Sequence, residues 1–211
     1  MRSLLILVLA GLLPIAQCLH AEPRDVTTDP APRAALHHLA ADLETRFGPS
    51  PGGAVLLVDV SEQRLALVRG GSMVRSWPVS TSRYGVGNQD HSQRTPLGVH
   101  RVAQKFGAQA PLGTLFQARR NTGRMVEILT DDRAAADDYV TTRILWLQGL
   151  EPGINQGPGV DSYQRYIYIH GTAEEGRIGR PASHGCVRMR NVDVVEVFDQ
   201  VEVGTLVVIR E

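Results

Sequence analysis

Two histidines and a cysteine fall within 17 residues of one another, in YIYIHGTAEEGRIGRPASHGCVRMRN at 166–191. His170 closes an alternating apolar run and is followed by Gly171. Twelve residues, Gly171 to Ala182, then lead to Ser183-His184-Gly185-Cys186. A thiolate attacks carbonyl carbon readily but needs a base or a positive neighbour to form near neutral pH. His170 is the candidate base, because the loop after it is long enough to fold back and bring Cys186 alongside. His184 and Arg188 add polar or positive character. Gly185 lets the backbone approach closely, and its N–H with that of Cys186 could donate to a developing oxyanion. The set suits acyl transfer through a thioester. Two alternatives stay open here. One is a buried, inert cysteine. The other is a zinc site of His170, His184 and Cys186, although neither HExxH nor a CxxC pair occurs. His91 and His100 read as loop or surface residues, and His37 and His38 as an exposed helix face.

The chain that positions these groups has 211 residues, of which 43 % are apolar and 21 % charged, enough for one domain with a core. Lys+Arg and Asp+Glu both number 22, and the single lysine is Lys105. With no net field and no polylysine tail, neither nucleic acid nor an acidic lipid surface is an expected partner. Two cysteines cannot build a disulfide scaffold. Arg2 followed by the 13-residue apolar run Leu4–Ala16 reads as a signal peptide over 1–20, since a membrane span needs roughly 20 residues. A lipoprotein signal at Cys18 and an uncleaved anchor are the alternatives. Each of them sends the rest of the chain out of the cytoplasm, to the periplasm or cell envelope.

Residues 21–51 read as a linker carrying a short helix over 33–47, with apolar Leu36, Leu39, Leu43 and Phe47 and a cap at Thr28 or Asp29. GPSPGG at 48–53 stops it, and a domain boundary is placed there. From residue 52 the chain is mainly β. Short runs at 54–60, 64–68, 73–80, 99–102, 125–129, 144–147, 166–170 and 205–209 read as strands of an antiparallel sheet or sandwich. One helix is expected over 191–201, with Asn191 as its N-cap.

The segment HGT, IG at 178–179 and SHGCVRMRN resembles the catalytic domain of the L,D-transpeptidase (YkuD) family. The resemblance extends over 52–211, with LLVDVSEQRLALVRGG similar to the family's opening strands. WPVSTS (77–82) and RTPLGVHRV (94–102) resemble its middle strands, and VGTLVVI (203–209) its closing strand. It implies a twisted β-sandwich with a short helix after the catalytic loop and, here, an N-terminal helical extension. It implies Cys186 as nucleophile and His170 as proton acceptor and donor, with the Gly171 carbonyl orienting the His170 ring. His184 and Gly185 would line the oxyanion and substrate side, Ser183 would shape the loop, and Arg188 would hold the site and its charge. No cofactor or metal is implied. The implied substrates are peptidoglycan stem peptides. The acyl group would pass to a second stem peptide or a lipoprotein amine, or to water in an L,D-carboxypeptidase or endopeptidase. A non-catalytic wall-binding module is the third reading, and the oligomeric state is open. The stretch 103–165, with Arg119, Arg120, Arg124, Tyr139, Trp146 and Tyr163, reads either as a lid over the substrate channel or as the completion of a sheet edge.

Overall fold

The computed structural model describes residues 30–211, with side chains from residue 34. The signal-peptide expectation for 1–20 and the helix-cap expectation at Thr28 or Asp29 lie outside the described residues. Ten strands and two α-helices follow in order: α1 (Pro30–Phe47), β1 (Ala54–Asp59), β2 (Arg64–Arg69), β3 (Ser72–Pro78), β4 (Gly98–Phe106), β5 (Thr114–Gln117), β6 (Arg120–Met125), β7 (Val140–Gly149), β8 (Tyr168–Thr172), β9 (Val187–Met189), α2 (Asn191–Gln200) and β10 (Leu206–Arg210). The fold is mostly β, as the turn-rich sequence suggests. No helix of the described residues is long and apolar enough to cross a membrane.

All ten strands belong to one hydrogen-bonded set. The main path runs β3-β2-β1-β10-β4-β7, and β7 then pairs both with the β5-β6 hairpin and with β8, which pairs with β9. Just past β3, Ser80 bridges Arg188 of β9 through two backbone bonds of 2.9 Å. The sheet therefore wraps round and meets its own far edge. Inside the wrap lies the main core, where Leu56, Leu67, Leu145, Ile169, Val187 and Ile209 meet Val194, Val197 and Phe198 of α2. Register shifts in β4 between Val102 and Gln104, and in β7 between Thr141 and Ile144, are bulges that bend the strands so that this is geometrically feasible.

Helix α1 covers the opposite face of the sheet. Leu43, 2 % exposed, packs with Val55, Leu57, Val68, Val99 and Leu206, and Leu36, Leu39 and Phe47 flank it. Arg101 donates to the Phe47 carbonyl at 2.8 Å and so satisfies an orphan acceptor at the helix end. The chain break at 48–53 ends the helix, but the helix is no detached linker, because the leucine stripe has an apolar sheet face to cover.

Several local expectations differ from the structure. Met125–Leu129 is not a strand: the Val126 and Leu129 N–H groups bond singly, to Gly113 and Ala173 carbonyls, with no ladder. The runs WPVSTS and RTPLG lie mostly between β3 and β4 rather than in strands. Their buried Thr81, Ser82 and Thr95 use polar groups to bond neighbouring loops. Asn191 is the first residue of α2 rather than its cap. Its side chain turns inward, accepting from Thr141 Oγ1 (2.6 Å) and Thr142 Oγ1 and donating to the Thr172 carbonyl (2.9 Å) and Glu175. Glu175 in turn accepts from the Asn191 backbone N–H at 2.7 Å.

If α1 is part of the folded unit, Leu43→Ala should destabilise the whole domain by about 2–5 kcal/mol. Urea unfolding followed by far-ultraviolet circular dichroism measures this. A change below about 0.5 kcal/mol would show that the helix contributes nothing to the core.

Candidate active site

Strands β8 and β9 run parallel, with Ile169 opposite Val187, His170 opposite Arg188 and Gly171 opposite Met189. Side chains alternate along a strand, so Ile169 and Val187 point into the main core. Tyr168, His170, Cys186 and Arg188 then share the other face. Gly171 is required for this pairing. A Cβ there would stand 2.7 Å from Asn191 Oδ1 and 2.8 Å from the Thr141 carbonyl oxygen.

His170 is buried, and its Nδ1 lies 2.7 Å from the Gly171 carbonyl. A carbonyl only accepts, so Nδ1 carries the proton and Nε2 keeps its lone pair. Burial lowers the imidazole pKa below its ordinary value. The nearby Asp138 carboxylate and the Gly171 hydrogen bond oppose that shift, and Arg188 adds to it. The ring is therefore neutral at pH 7.

Cys186 is half-buried. Its sulfur accepts from the Tyr168 N–H (3.3 Å) and donates to the Tyr166 carbonyl (3.4 Å), and His170 is not among its partners. Burial pushes the thiol pKa up to about 12. The Tyr168 hydrogen bond lowers it, the Asp138 charge raises it, and Arg188 and Arg165 lower it. At rest the pair is thus a thiol beside a neutral imidazole, not an ion pair. Proton transfer to His170 requires the S–H to leave the Tyr166 carbonyl.

The loop before Cys186 is bonded on both sides. Ser183 Oγ donates to the Cys186 carbonyl (2.7 Å) and accepts from the Gly185 N–H (3.2 Å). Thr95 Oγ1 donates to the Gly185 carbonyl (3.0 Å), and the Ala182 and Ser183 N–H groups both donate to the Thr81 carbonyl. Gly185 sits at φ 127°, a conformation that side-chain-bearing residues avoid.

Sequence reasoning missed the charges behind the loop. The fully buried Arg188 guanidinium donates from Nη1 to Asp138 Oδ1 (3.0 Å) and Glu174 Oε2 (2.7 Å), and from Nη2 to Ser80 Oγ (3.2 Å). Asp138 Oδ2 accepts from both the backbone N–H and Nδ1 of His184, each at 3.0 Å. His184 Nε2 faces Arg83 Nη2 at 2.9 Å, so the ring is held between an acid and a cation. Burial raises the Asp138 pKa, but Arg188, His170 and the hydrogen bonds outweigh it, and the carboxyl lies below its ordinary range. Of the charges that His170 feels, the Asp138 carboxylate outweighs the Arg188 guanidinium. That balance favours an imidazolium formed during reaction. No sequence spacing joins Asp138 or Glu174 to the SHGC motif, since both arrive through tertiary packing.

The zinc set is not assembled. His184 is committed to Asp138 and Arg83, and no group of three ligating side chains that could hold a metal ion occurs among the described residues. The stretch 103–165 supplies the β5-β6 hairpin, which completes the sheet edge at β7 through Leu115 opposite Thr141 and Phe116 opposite Val140. It also supplies the Asp138 loop.

Residues 53–209 match the family model described as the L,D-transpeptidase catalytic domain. The chain is similar to YqjB of Bacillus subtilis (strain 168), with 46 % identity over 47 residues, 22 % of this chain and 27 % of that protein. It is similar to YbiS of Escherichia coli (strain K12), with 51 % identity over 43 residues, 20 % of this chain and 14 % of that protein. Both carry L,D-transpeptidase names, and the matches span well under a third of either relative. Among solved structures, an L,D-transpeptidase from Mycobacterium smegmatis aligns at 16 % identity and TM-score 0.45, covering 75 % of this chain and 58 % of that one. The L,D-transpeptidase from Xylanimonas cellulosilytica DSM 15894 aligns at 20 % identity and TM-score 0.43, covering 82 % and 69 %.

Two outcomes follow from the electrostatics. Below its pKa a thiol is protonated, so alkylation of Cys186 by iodoacetamide should rise about tenfold per pH unit from pH 7 to 10. A plateau by pH 8 would contradict the raised thiol pKa. Arg188→Met, which removes the guanidinium shared by Asp138 and Glu174, should cost about 3–5 kcal/mol in chemical denaturation, and an unchanged midpoint would show that the pairs are not formed in solution.

Proposed function

The chain belongs to the L,D-transpeptidase (YkuD) catalytic domain family, and on that footing we propose that it is an exported enzyme of the cell envelope that remodels peptidoglycan stem peptides. The observation that carries this reading is the β8/β9 register, which sets His170 and Cys186 on one face of the sheet with Nε2 free to take a proton.

The donor would present the carbonyl of its third residue's L-centre to Cys186. The S–H proton passes to His170 Nε2 as sulfur bonds to that carbon, giving a tetrahedral oxyanion. Of the loop amides, that of His184 is taken by Asp138 and that of Gly185 by Ser183. The Cys186 N–H is the remaining donor for this oxygen. The Asp138 carboxylate steadies the imidazolium. Collapse breaks the C–N bond, and His170 returns the proton to the departing D-Ala amine, leaving a thioester. An acceptor amine then attacks the thioester and loses its proton to His170. The new amide forms as sulfur leaves, and the imidazolium reprotonates the thiolate. Water in place of the amine gives a tripeptide, as in an L,D-carboxypeptidase. The apolar run Leu4–Ala16 behind Arg2 supports export, which brings the enzyme to this substrate.

Purified enzyme with disaccharide tetrapeptide should yield cross-linked dimers and free D-Ala, separated by chromatography and mass. Tripeptide monomers alone would assign water as acceptor. Cys186→Ala should abolish both products, and His170→Ala should slow thioester formation by at least about 100-fold. Near-normal turnover by either variant would overturn the mechanism.

A further inference from the structure

Arg119 stands at the tip of the β5-β6 hairpin and has no role in the chemistry assigned above. The two turn residues, Ala118 and Arg119, have φ of 47° and 66°. Two-residue hairpins of this hand normally use Asn or Gly there, because a Cβ is disfavoured at positive φ. Here an alanine and an arginine hold the turn. Tyr166, which faces Arg119, is also left-handed, at φ 56°.

What that backbone positions is an arginine laid over aromatic rings beside the thiol. The Arg119 guanidinium carbon lies 4.4 Å from the Trp146 ring centroid and 5.2 Å from that of Tyr166. Its Nη1 donates to the Tyr168 hydroxyl at 3.1 Å. Trp146 is itself fixed by a parallel stack on Tyr163, with ring centroids 3.9 Å apart. Cys186 packs against the cluster that holds Trp146 and Tyr168, and its sulfur bonds the backbone N–H of Tyr168 and the backbone carbonyl of Tyr166. Among the described residues Arg119 has no carboxylate partner within ion-pair distance, whereas Arg188, Arg177, Arg180 and Arg133 each have one. The rings cover the guanidinium on one side, and the remaining N–H edges are open to a ligand. Arg119 also lines a cleft of about 360 Å³ with Phe106, Phe116 and Asn121. The Tyr168 hydroxyl accepts from Arg119, and no described residue accepts its own proton. Burial holds the phenol pKa above its ordinary value, so that proton stays in place.

A partly covered, fork-shaped cation with free edges, next to a hydroxyl that still has its proton to donate, is suited to a carboxylate, which it can bind bidentately. We infer that Arg119 and Tyr168 form a carboxylate-recognition subsite for the donor peptide. Arg119 acts there as a specificity-determining residue and takes no part in the bond changes. The inference rests on the stem-peptide reading above and names the group on that substrate which is read. A donor with diaminopimelate as its third residue carries two carboxylates near the scissile bond: one on that side chain and one at the terminus of its fourth residue. Both present the same chemistry to Arg119.

The test uses binding, in the full chain carrying Cys186→Ala so that no turnover occurs. Calorimetry compares three disaccharide tetrapeptides: one with both carboxylates free, one amidated at the third residue's side chain, and one amidated at the terminus. Amidating the carboxylate that is read should weaken binding at least tenfold, and the peptide that suffers identifies which one it is. Adding Arg119→Gln should weaken the fully charged donor by about 10- to 100-fold and abolish the discrimination. Arg119→Lys, which keeps the charge but not the fork, should recover only part of the loss. Unchanged thermal melting of the variants shows that they fold. If Arg119→Gln leaves the ratios among the three peptides as they were, or if the parent does not bind the charged donor, the inference is overturned. Thioester formation by the unsubstituted enzyme, read by intact mass, tests the functional reading separately.

Discussion

The Arg188 guanidinium, fully buried on β9, is the constraint on which the site depends. Burying such a cation is costly unless its hydrogen bonds are met by opposite charge. Here Nη1 and Nη2 are met by Asp138 from the loop before β7, by Glu174 from the crossover after β8, and by Ser80 from the stretch after β3, while Nε has no partner among the described residues. Three separate segments are thereby fixed to the residue two positions after Cys186. The same Asp138 reaches forward to His184. One buried charge therefore sets the position of the SHGC loop and the field felt by His170.

That field accounts for the character of the resting site. Burial holds both partners neutral, raising the thiol and lowering the imidazole. A thiol parked on a backbone carbonyl is protected from adventitious oxidation and alkylation, which act on the thiolate. The Asp138 charge near His170 favours the ring once it is protonated, which in the proposed mechanism happens as sulfur begins to bond to carbon. Neutrality at rest and charge stabilisation during reaction thus come from the same groups at different moments.

The parts of the molecule readable in the sequence are those whose chemistry is local. The SHGC cluster, the His-Gly pair ending an alternating strand and the leucine stripe of α1 each signal themselves within a few residues. The β-rich architecture follows from turn-separated apolar runs. What the sequence hid depends on distant partners. Asp138 and Glu174 look like ordinary acidic loop residues until the sheet wraps. Asn191 has a cap residue's identity, yet two threonines on β7 draw its side chain inward, and Glu175 takes over the end of the helix. The 79–97 stretch has strand-like composition, but its hydroxyls bond loops instead of leaving the backbone to a ladder. The positive-φ turn at Ala118–Arg119 carries neither Gly nor Asn, so the hairpin gave no turn signal.

The bridge between Ser80 and Arg188 has a dynamic corollary. It joins the two ends of a long sheet path through a strand of only three residues, β9, whose other neighbour is the parallel β8. Such a seam is the natural place for local opening below the global unfolding free energy, because few backbone bonds must break to part it. Amides of β9 and the 80–83 stretch should therefore exchange with solvent sooner than those of β1 or β10 inside the sheet. Opening there would free one edge of β9 and the 80–83 stretch that braces the loop before Cys186, while most of the barrel-like wall stays intact.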